Sequence, residues 1–219
     1  TIMINASTNK VYGDLEQYDL IETDNSYKFK SNPDGINEST ILDFHSPYGC
    51  SKGSADQYII DYSRIYDIST TTFRQSCIYG PRQFGSQDQG WISWFIIASL
   101  SKQPISIYGN GKQVRDILYI DDLIRAYDIA ISKPSKVKGE AFNIGGGPSN
   151  SISLIQCINM ISEILDRDIK YNLCDPRPGD QKIYVSDIQK ISQTLDWQPS
   201  TSVKVGVSNL LNWTRKELR

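Results

Sequence analysis

The sequence lacks several patterns that would place it in a broad class of protein. No apolar run approaches the roughly 20 residues that a membrane-spanning helix needs, and no signal peptide is visible. The 23 lysines and arginines are scattered singly among 25 acidic residues, which favours neither nucleic acid nor a membrane surface as a partner. The four widely spaced cysteines predict reduced cytoplasmic thiols, without a disulfide framework or a metal site; they are Cys50, Cys77, Cys157 and Cys174.

Patterns typical of strands alternate with patterns typical of helices. A β-branched run predicts a strand over residues 70–73. Shorter apolar runs predict further strands over residues 1–6, 105–108, 117–120 and 141–144. The alternation predicts an α/β fold with a Rossmann-like parallel sheet and a smaller α/β lobe formed by the late segments. Residues 14–45 are predicted to form one long polar loop beside a site.

Helix signals are clearest in the first half of the chain. Ser46-Pro47 predicts the start of a helix that continues to about residue 66. Three- and four-residue spacing predicts that this helix buries an apolar stripe, formed by Ala55, Ile59, Tyr62 and Tyr66. An aromatic and apolar stretch predicts another helix over residues 91–100. Two capping boxes are predicted, one by Ser153 with Gln156 and one by Ser186 with Gln189.

Three residues form a pattern that fits proton transfer to and from an alcohol. Tyr48 and Lys52 lie four apart on the predicted helix, which puts their Cβ atoms about 6 Å apart on one face. The ammonium can then stabilise a phenolate, which makes Tyr48 a candidate base. Thr8 follows the first predicted strand, and its hydroxyl can relay a proton to that phenolate. A Tyr-x-x-x-Lys pair also arises by chance on surface helices, but the Ser46-Pro47 helix start favours catalysis.

These motifs resemble the extended short-chain dehydrogenase/reductase family, which acts on nucleotide-diphosphate sugars, and the resemblance runs along essentially the whole chain. It implies that Thr8, Tyr48 and Lys52 are the catalytic threonine, tyrosine and lysine of that family. It also implies tightly held NAD as the cofactor, contacted by Tyr48, Lys52 and Ser76. A homo-oligomer is expected for the full-length protein.

The glycine-rich turn of a dinucleotide-binding domain has no counterpart in this sequence. Such a domain opens with a strand, a Gly-x-x-Gly-x-x-Gly-type turn and a helix whose N-terminus meets the pyrophosphate. The glycine clusters at 109–111 and 145–147 have another spacing and come late. Because the chain starts at Thr1 in an apolar run, we expect that early strands, about 100 residues, are missing from this segment.

Two arginines in predicted loops are candidates for binding a diphosphate. A guanidinium fork matches two phosphate oxygens, although a lone arginine more often forms a surface ion pair. Arg115 lies in a Gly-x-Gly-x-x-x-Arg-Asp pattern, and Arg177 opens an Arg-Pro-Gly-Asp run. Both patterns resemble the nucleotide-sugar grip of the same family. The resemblance implies that Arg115 and Arg177 hold the diphosphate and that Asp180 contacts a ribose hydroxyl.

The residues after Thr8 narrow the reaction. The 4,6-dehydratases of the family carry an Asp-Glu pair here as acid and base, whereas this chain has Asn9-Lys10, so dehydration is disfavoured. The run Ser-Thr-Asn-Lys-Val-Tyr-Gly and the segments 43–47 and 82–91 are most similar to the CDP-paratose (CDP-tyvelose) 2-epimerases. That similarity implies a CDP-sugar epimerised at C2 through a transient ketone. Two alternatives stay open, namely a nucleotide-sugar 4-epimerase or reductase, and a truncated module that only binds nucleotide sugars.

The resemblance also suggests how the chain is divided. Residues 1–80 are expected to form the carboxy-terminal part of the NAD-binding domain. Residues 81–219 are expected to form mainly the nucleotide-sugar lobe, with 115–147 returning to the Rossmann side. His45, the only histidine, lies three residues before Tyr48 and is expected either to touch substrate or to cover the helix start.

Overall fold

The computed structural model describes residues 2–177 and 179–218; Thr1, Pro178 and Arg219 lie outside the described residues. The helices are α1 Ser46–Tyr66, α2 Trp91–Leu100, α3 Ile120–Ser132, α4 Pro134–Val137, α5 Leu154–Leu165, α6 Gln189–Leu195 and α7 Val203–Glu217. The strands are β1 Met3–Thr8, β2 Leu20–Glu22, β3 Tyr27–Phe29, β4 Thr70–Gln75, β5 Cys77–Tyr79, β6 Ile105–Tyr108, β7 Val114–Tyr119, β8 Glu140–Ile144, β9 Ser151–Ser153, β10 Tyr171–Cys174 and β11 Ile183–Tyr184. Short 3₁₀ helices cover Asn9–Tyr12 and Pro148–Asn150.

Parallel pairing dominates the sheets, which confirms the predicted α/β class. β4 lies between β1 and β8, with both neighbours parallel to it. β7 lies between β5 and β11, again in parallel, and β9 pairs with it in the antiparallel sense. β6 and β10 form a separate parallel pair. Parallel neighbours need a long crossover, and α1 supplies the one between β1 and β4.

Two apolar cores lie on opposite sides of β7. Ile117 belongs to the core that α2, α5 and α7 build with β6, while its neighbour Leu118 belongs to the core between β4, β8, α3 and α6. Successive side chains of a strand point to opposite faces, so one strand serves both cores. Each fully buried side chain of this size stabilises the fold by about 1.5–3 kcal/mol. The two cores therefore hold the strand ends, where the candidate site lies, in fixed positions.

The predicted apolar stripe of α1 is wrong. Tyr62 and Tyr66 are 49% and 63% exposed. The residues that α1 buries against β1 and β4 are small or polar, namely Gly49, Gly53, Asp56 and Ser63. A Cβ atom on Gly53 would lie 2.3 Å from the Phe44 ring, so only glycine allows this approach.

Two further predictions fail locally, and one succeeds. Residues 14–45 are not a plain loop, because β2 and β3 form an antiparallel hairpin inside them. The box predicted at Ser186 does not form, since α6 follows Ile188 without a side-chain cap and the Gln189 N–H donates to Asp187. The box at Ser153 with Gln156 is confirmed in both directions. Within the described part of the chain, no helix is both long and apolar enough to span a bilayer.

Candidate active site

The carboxyl end of β1 is the centre of the candidate site. Ligands of parallel sheets bind at this end of the strands. Thr8 is the last residue of β1 and lies opposite Gln75 of β4. Its side chain is buried, donates to the Asn9 Oδ1 at 3.2 Å, and accepts the Lys10 N–H as the cap of the first 3₁₀ helix. The hydroxyl is thus held at a strand end, with its rotation limited by two neighbours.

Helix α1 brings the other two predicted catalytic residues to the same strand. Pro47 lies in its first turn, and α1 packs along β1 and β4. The Lys52 ammonium donates to the backbone oxygen of Ala6 at 2.9 Å, two residues before Thr8. Tyr48, one turn earlier, is 54% exposed and lies in the wall of a cavity. Thr8 and Lys52 therefore lie at one strand end, and Tyr48 lies one turn before Lys52 on the same helix. Their catalytic roles stay predictions.

A buried ion pair lies behind this strand end. The Asp56 carboxylate, on α1 one turn after Lys52, accepts from Arg74 Nε at 3.0 Å and from Nη2 at 2.9 Å. It also accepts from the hydroxyl of Ser7, the residue before Thr8, at 2.7 Å. Arg74 in turn donates to the phenol oxygen of Tyr12 at 3.0 Å. This network joins β1, β4 and α1, so it fixes the helix that carries Tyr48 and Lys52 against the strand that ends in Thr8.

A cavity of about 430 Å³ opens beside the strand end. Its described lining comes from the start of α1, the start of α2, β6 and the segment between β10 and β11. Four predicted site residues line it, namely Tyr48, Arg115, Arg177 and Asp180. Three others do not border it, namely Thr8, Lys52 and Ser76. The cavity is large enough for part of a nucleotide sugar.

Arg115 and Asp180 are brought together although 65 residues separate them. Arg115 lies on β7 and is almost fully buried; its Nη2 donates to Asp180 Oδ1 at 2.8 Å and its Nη1 to the Val114 oxygen at 2.8 Å. A guanidinium has five N–H donors. The contacts with Asp180 and Val114 leave donors of Arg115 that can serve an anion entering the cavity.

Arg177 also lines the cavity, and its side chain is more exposed than that of Arg115. Its guanidinium lies 4.0 Å from the centre of the Tyr108 ring and donates to Asp88 at 2.6 Å. The Asp88 side chain is largely exposed, so this ion pair is worth only about 0–1 kcal/mol. A phosphate oxygen can therefore replace Asp88 as the partner of Arg177 at small cost.

The sequence reasoning missed the contacts of Asn9 and Lys10. The Lys10 ammonium is 3.4 Å from Asp180 Oδ1, the same oxygen that Arg115 holds. Burial and the positive charge of Arg115 lower the pKa of Lys10, while Asp180 acts in the opposite direction. Asn9 donates to Gln181 at 3.2 Å. The only sequence signal for these two residues was the Asn-Lys pair in the place of the Asp-Glu pair of the dehydratases. That signal indicated which carboxylates the site lacks, and it gave no information about Asp180 and Gln181 as partners.

Ser76 is turned towards a buried carboxylate. Its hydroxyl donates to the Asp116 side chain and to the Asp116 backbone oxygen. Burial raises the pKa of Asp116, and the hydrogen bond from Ser76 offsets part of that effect. A contact between Ser76 and a cofactor would require this hydroxyl to turn, and that contact stays a prediction.

His45 stands at the cavity edge between two carboxylates. Its Nδ1 is 3.3 Å from Asp14 and its Nε2 is 3.2 Å from Asp43. One ligand atom from each of the three residues lies within 4.8 Å of the others. Exposed acidic groups commonly gather in this way, and both ring nitrogens already have carboxylate neighbours, so the group carries no metal assignment. His45 directly precedes α1 without a side-chain cap and also lines the cavity, so its two expected roles both stay predictions.

Comparisons with known proteins show which family and which solved folds this chain is similar to. The model of the NAD dependent epimerase/dehydratase family matches residues 2–145. A CDP-paratose 2-epimerase from Salmonella typhi is 47% identical over 217 residues, which cover 97% of this chain and 64% of the relative. This chain therefore spans less than two thirds of the relative's length.

Two solved structures have the same fold. One is a UDP-glucuronic acid 4-epimerase from Bacillus cereus in complex with UDP-glucuronic acid and NAD; it is 28% identical, with a TM-score of 0.82 over 99% of this chain and 62% of that one. The other is a UDP-glucose 4-epimerase with UDP-glucose from Thermotoga maritima; it is 29% identical, with a TM-score of 0.84 over 100% of this chain and 64% of that one. Each solved structure extends well beyond the part matched here.

Proposed function

Because the chain belongs to the NAD dependent epimerase/dehydratase family, we propose that its protein epimerises a nucleotide-diphosphate sugar with NAD as cofactor, most specifically CDP-paratose to CDP-tyvelose at C2. The observation that carries the proposal is the 47% identity to a CDP-paratose 2-epimerase over nearly the whole chain. The hydrogen bond from Lys52 to Ala6, two residues before Thr8, and the place of Tyr48 one turn before Lys52 support it. The division at residue 80 into a cofactor part and a substrate part is included in the proposal.

The residues at the end of β1 fit the nicotinamide half of NAD. The Lys52 ammonium has three N–H donors, and Ala6 takes one, so two can serve the hydroxyls of a ribose. Tyr48 exposes its phenol on the same helix face, and Ser76 follows β4 nearby. Tyr48, Lys52 and Ser76 are the residues that would hold this part of the cofactor. Bound NAD supplies a reversible hydride acceptor for one carbon of the sugar.

The side chains of the site would manage the proton in this reaction. The sugar hydroxyl gives its proton through the Thr8 hydroxyl to the phenolate of Tyr48 as its carbon loses a hydride and becomes a ketone. Lys52 stabilises the phenolate through its positive charge. After the ketone had turned over in the cavity, Tyr48 would return the proton to the sugar oxygen through the Thr8 hydroxyl. The net change would be the inversion of one carbon.

The cavity beside the strand end would hold the rest of the substrate. Arg115 and Arg177 each contribute a guanidinium group to its lining, which suits the several oxygens of a diphosphate. Asp180, already held by Arg115, would accept a hydrogen bond from a ribose hydroxyl. Binding the diphosphate costs little, because the main partner of Arg177 is an exposed aspartate.

A nucleotide-sugar 4-epimerase or reductase is the second candidate. Both solved structures reported above are named 4-epimerases, at 28% and 29% identity. The same threonine, tyrosine and lysine can serve either carbon, since only the seating of the sugar decides which hydroxyl meets Tyr48. The Asn9-Lys10 pair leaves dehydration without an evident acid and base.

Product analysis with the complete protein tests the proposal. Incubation with CDP-paratose and NAD should give CDP-tyvelose by NMR, and Tyr48→Phe should stop the conversion. Parallel incubations with UDP-glucose and UDP-glucuronic acid should give no product. Inversion of the UDP-sugars at C4, with CDP-paratose unchanged, would assign the second candidate instead. Binding of CDP-sugars without any turnover would reduce the protein to a binding module.

A further inference from the structure

We propose that Asn9 and Lys10 anchor the substrate loop, defined here as residues 177–181, to the catalytic strand, and that Lys10 is thereby a positioning residue for the diphosphate grip. The inference deepens the proposed function and rests on it for the identity of the substrate. It concerns residues that stand directly after Thr8 and that the proposed chemistry leaves unused.

The first anchor is a buried amide pair. Asn9 is nearly fully buried and Gln181 is completely buried. The Asn9 Nδ2 donates to Gln181 Oε1 at 3.2 Å, and the Gln181 Nε2 donates to the backbone oxygen of Gly13. An unmade hydrogen bond on a buried amide costs about 1–3 kcal/mol. Both ends of the 3₁₀ helix that follows Thr8 are therefore tied to the last residue of the substrate loop.

The second anchor is ionic and adjacent to the first. Asp180 Oδ1 lies 3.4 Å from the Lys10 ammonium and 2.8 Å from the Arg115 guanidinium. Lys10 lies in the 3₁₀ helix that follows β1, whereas Arg115 lies on β7. Asp180 is thus held between two cations from different elements of the fold. Lys10, two residues after Thr8, therefore helps to fix the carboxylate of Asp180, which would contact the ribose.

The substrate loop needs such anchors because its other end is weakly held. Arg177 has an exposed ion-pair partner, and the described residues of this loop, 177 and 179–181, form neither helix nor strand. Fixing a free backbone residue costs about 1–2 kcal/mol at the moment of binding. Anchors that fix the loop beforehand remove this cost from substrate binding. Their effect should therefore appear in substrate affinity and leave the hydride step unchanged.

The charge at position 10 is matched to Asp180. A glutamate in place of Lys10 would put two carboxylates at the position of the present 3.4 Å ion pair, and like charges at that distance repel. Glutamate, the residue type that serves dehydration at this position, would therefore release the substrate loop in this protein. Lys10 therefore affects reaction specificity in two ways. It replaces the carboxylate that dehydration needs, and its charge holds the substrate loop.

Steady-state kinetics of Lys10→Met in the complete protein tests the proposal. The methionine keeps the length of the side chain and removes its charge. We expect the KM for the CDP-sugar to rise about tenfold, with kcat within about twofold of wild type. Lys10→Arg should restore KM, and Lys10→Glu should raise it further than methionine does. Lys138→Met is the matched control, since Lys138 is 33% exposed and Lys10 30%, and Lys138 pairs with Asp67 away from the cavity.

Hydrogen exchange supplies a readout that needs no substrate. Peptides covering residues 175–182 should take up deuterium faster in Lys10→Met than in wild type or Lys138→Met. Unchanged KM together with unchanged exchange would overturn the anchor, and so would a fall in kcat at constant KM, which would place Lys10 in the chemistry. If the wild type converts no CDP-sugar, the proposed function fails, while the exchange comparison still decides whether Lys10 holds the loop.

Discussion

Replacing Asp56 by alanine should cost this protein about 3–5 kcal/mol of its free energy of unfolding, the range for removing one partner of a buried ion pair. Asp56 is fully buried and its carboxylate accepts four hydrogen bonds, two from Arg74, one from Ser7 and one from Gln57. The substitution leaves the almost fully buried guanidinium of Arg74 without its counter-ion. That unpaired charge, more than the lost hydrogen bonds themselves, sets the size of the effect.

The same helix supplies a matched control. Asp61 pairs with Arg64 at 3.4 Å, and these side chains are 46% and 74% exposed. Exposed pairs three residues apart on a helix contribute about 0.2–0.5 kcal/mol, so Asp61→Ala should be nearly silent. The double variant Asp56→Ala with Arg74→Met should lose less than the sum of the two single losses, because no charge is then left without a partner.

Urea unfolding followed by circular dichroism at pH 7 measures the difference. We expect the midpoint for Asp56→Ala to fall with the slope unchanged, which indicates a loss of stability rather than a change of the unfolded state. Asp56 lies one turn after Lys52 and bonds the residue before Thr8, so turnover at low urea should fall as well. A loss below 1 kcal/mol, or one equal to that of Asp61→Ala, would refute the account of this network.

Further predictions concern the cavity and acid stability. Tyr48→Phe should lower turnover by about 100- to 10,000-fold with NAD affinity by calorimetry retained, and a smaller loss would remove Tyr48 from the acid-base role. Arg115→Ala or Arg177→Ala should each weaken CDP-sugar binding by about 1.5–3 kcal/mol in calorimetry, whereas unchanged affinity would exclude them from the diphosphate site. Burial alone would raise the pKa of Asp122, but hydrogen bonds from Ser200 and others bring it to about 2, below the ordinary 3.8. Ionised Asp122 therefore contributes about 2 kcal/mol to the free energy of unfolding; this contribution is full above pH 4 and is lost as the pH falls through 2. Asp122→Asn should remove that part of the pH dependence of the free energy of unfolding measured in urea. Identical pH profiles for the variant and the wild type would contradict this prediction.

The sequence predicted well where one local pattern decided the structure. The apolar run of α2 and the capping box at Ser153 were confirmed, because periodicity and capping act within a few residues. The buried face of α1 was predicted wrongly, because small residues and an ion pair with Arg74, 18 residues away, replace the apolar stripe. Apolar spacing carries no signal for a polar interface.

In the candidate site, too, local patterns indicated individual residues, whereas long-range contacts could not be predicted. Motifs pointed to Tyr48 and Lys52 through their helical spacing, and to Arg115 through its Gly-x-Gly-x-x-x-Arg-Asp pattern. The predicted loop position of Arg115 was wrong, because Arg115 pairs within the sheet on β7. The contacts of Lys10 with Asp180 could not be anticipated, since 170 residues separate the two and neither pattern specifies the other. The tertiary fold alone decides which loop meets the end of β1.

The fate of one labelled hydrogen tests the central claim most directly. The complete protein would be given CDP-paratose carrying deuterium at C2, and the product would be analysed by NMR and mass spectrometry. A 2-epimerase returns the hydride that it took, so we predict inversion at C2 with the deuterium still on C2, no net NADH, and no solvent hydrogen at C3 or C5. Retention of the original configuration at C2 with inversion at C4 would contradict the assignment, although Thr8, Tyr48 and Lys52 would keep their roles.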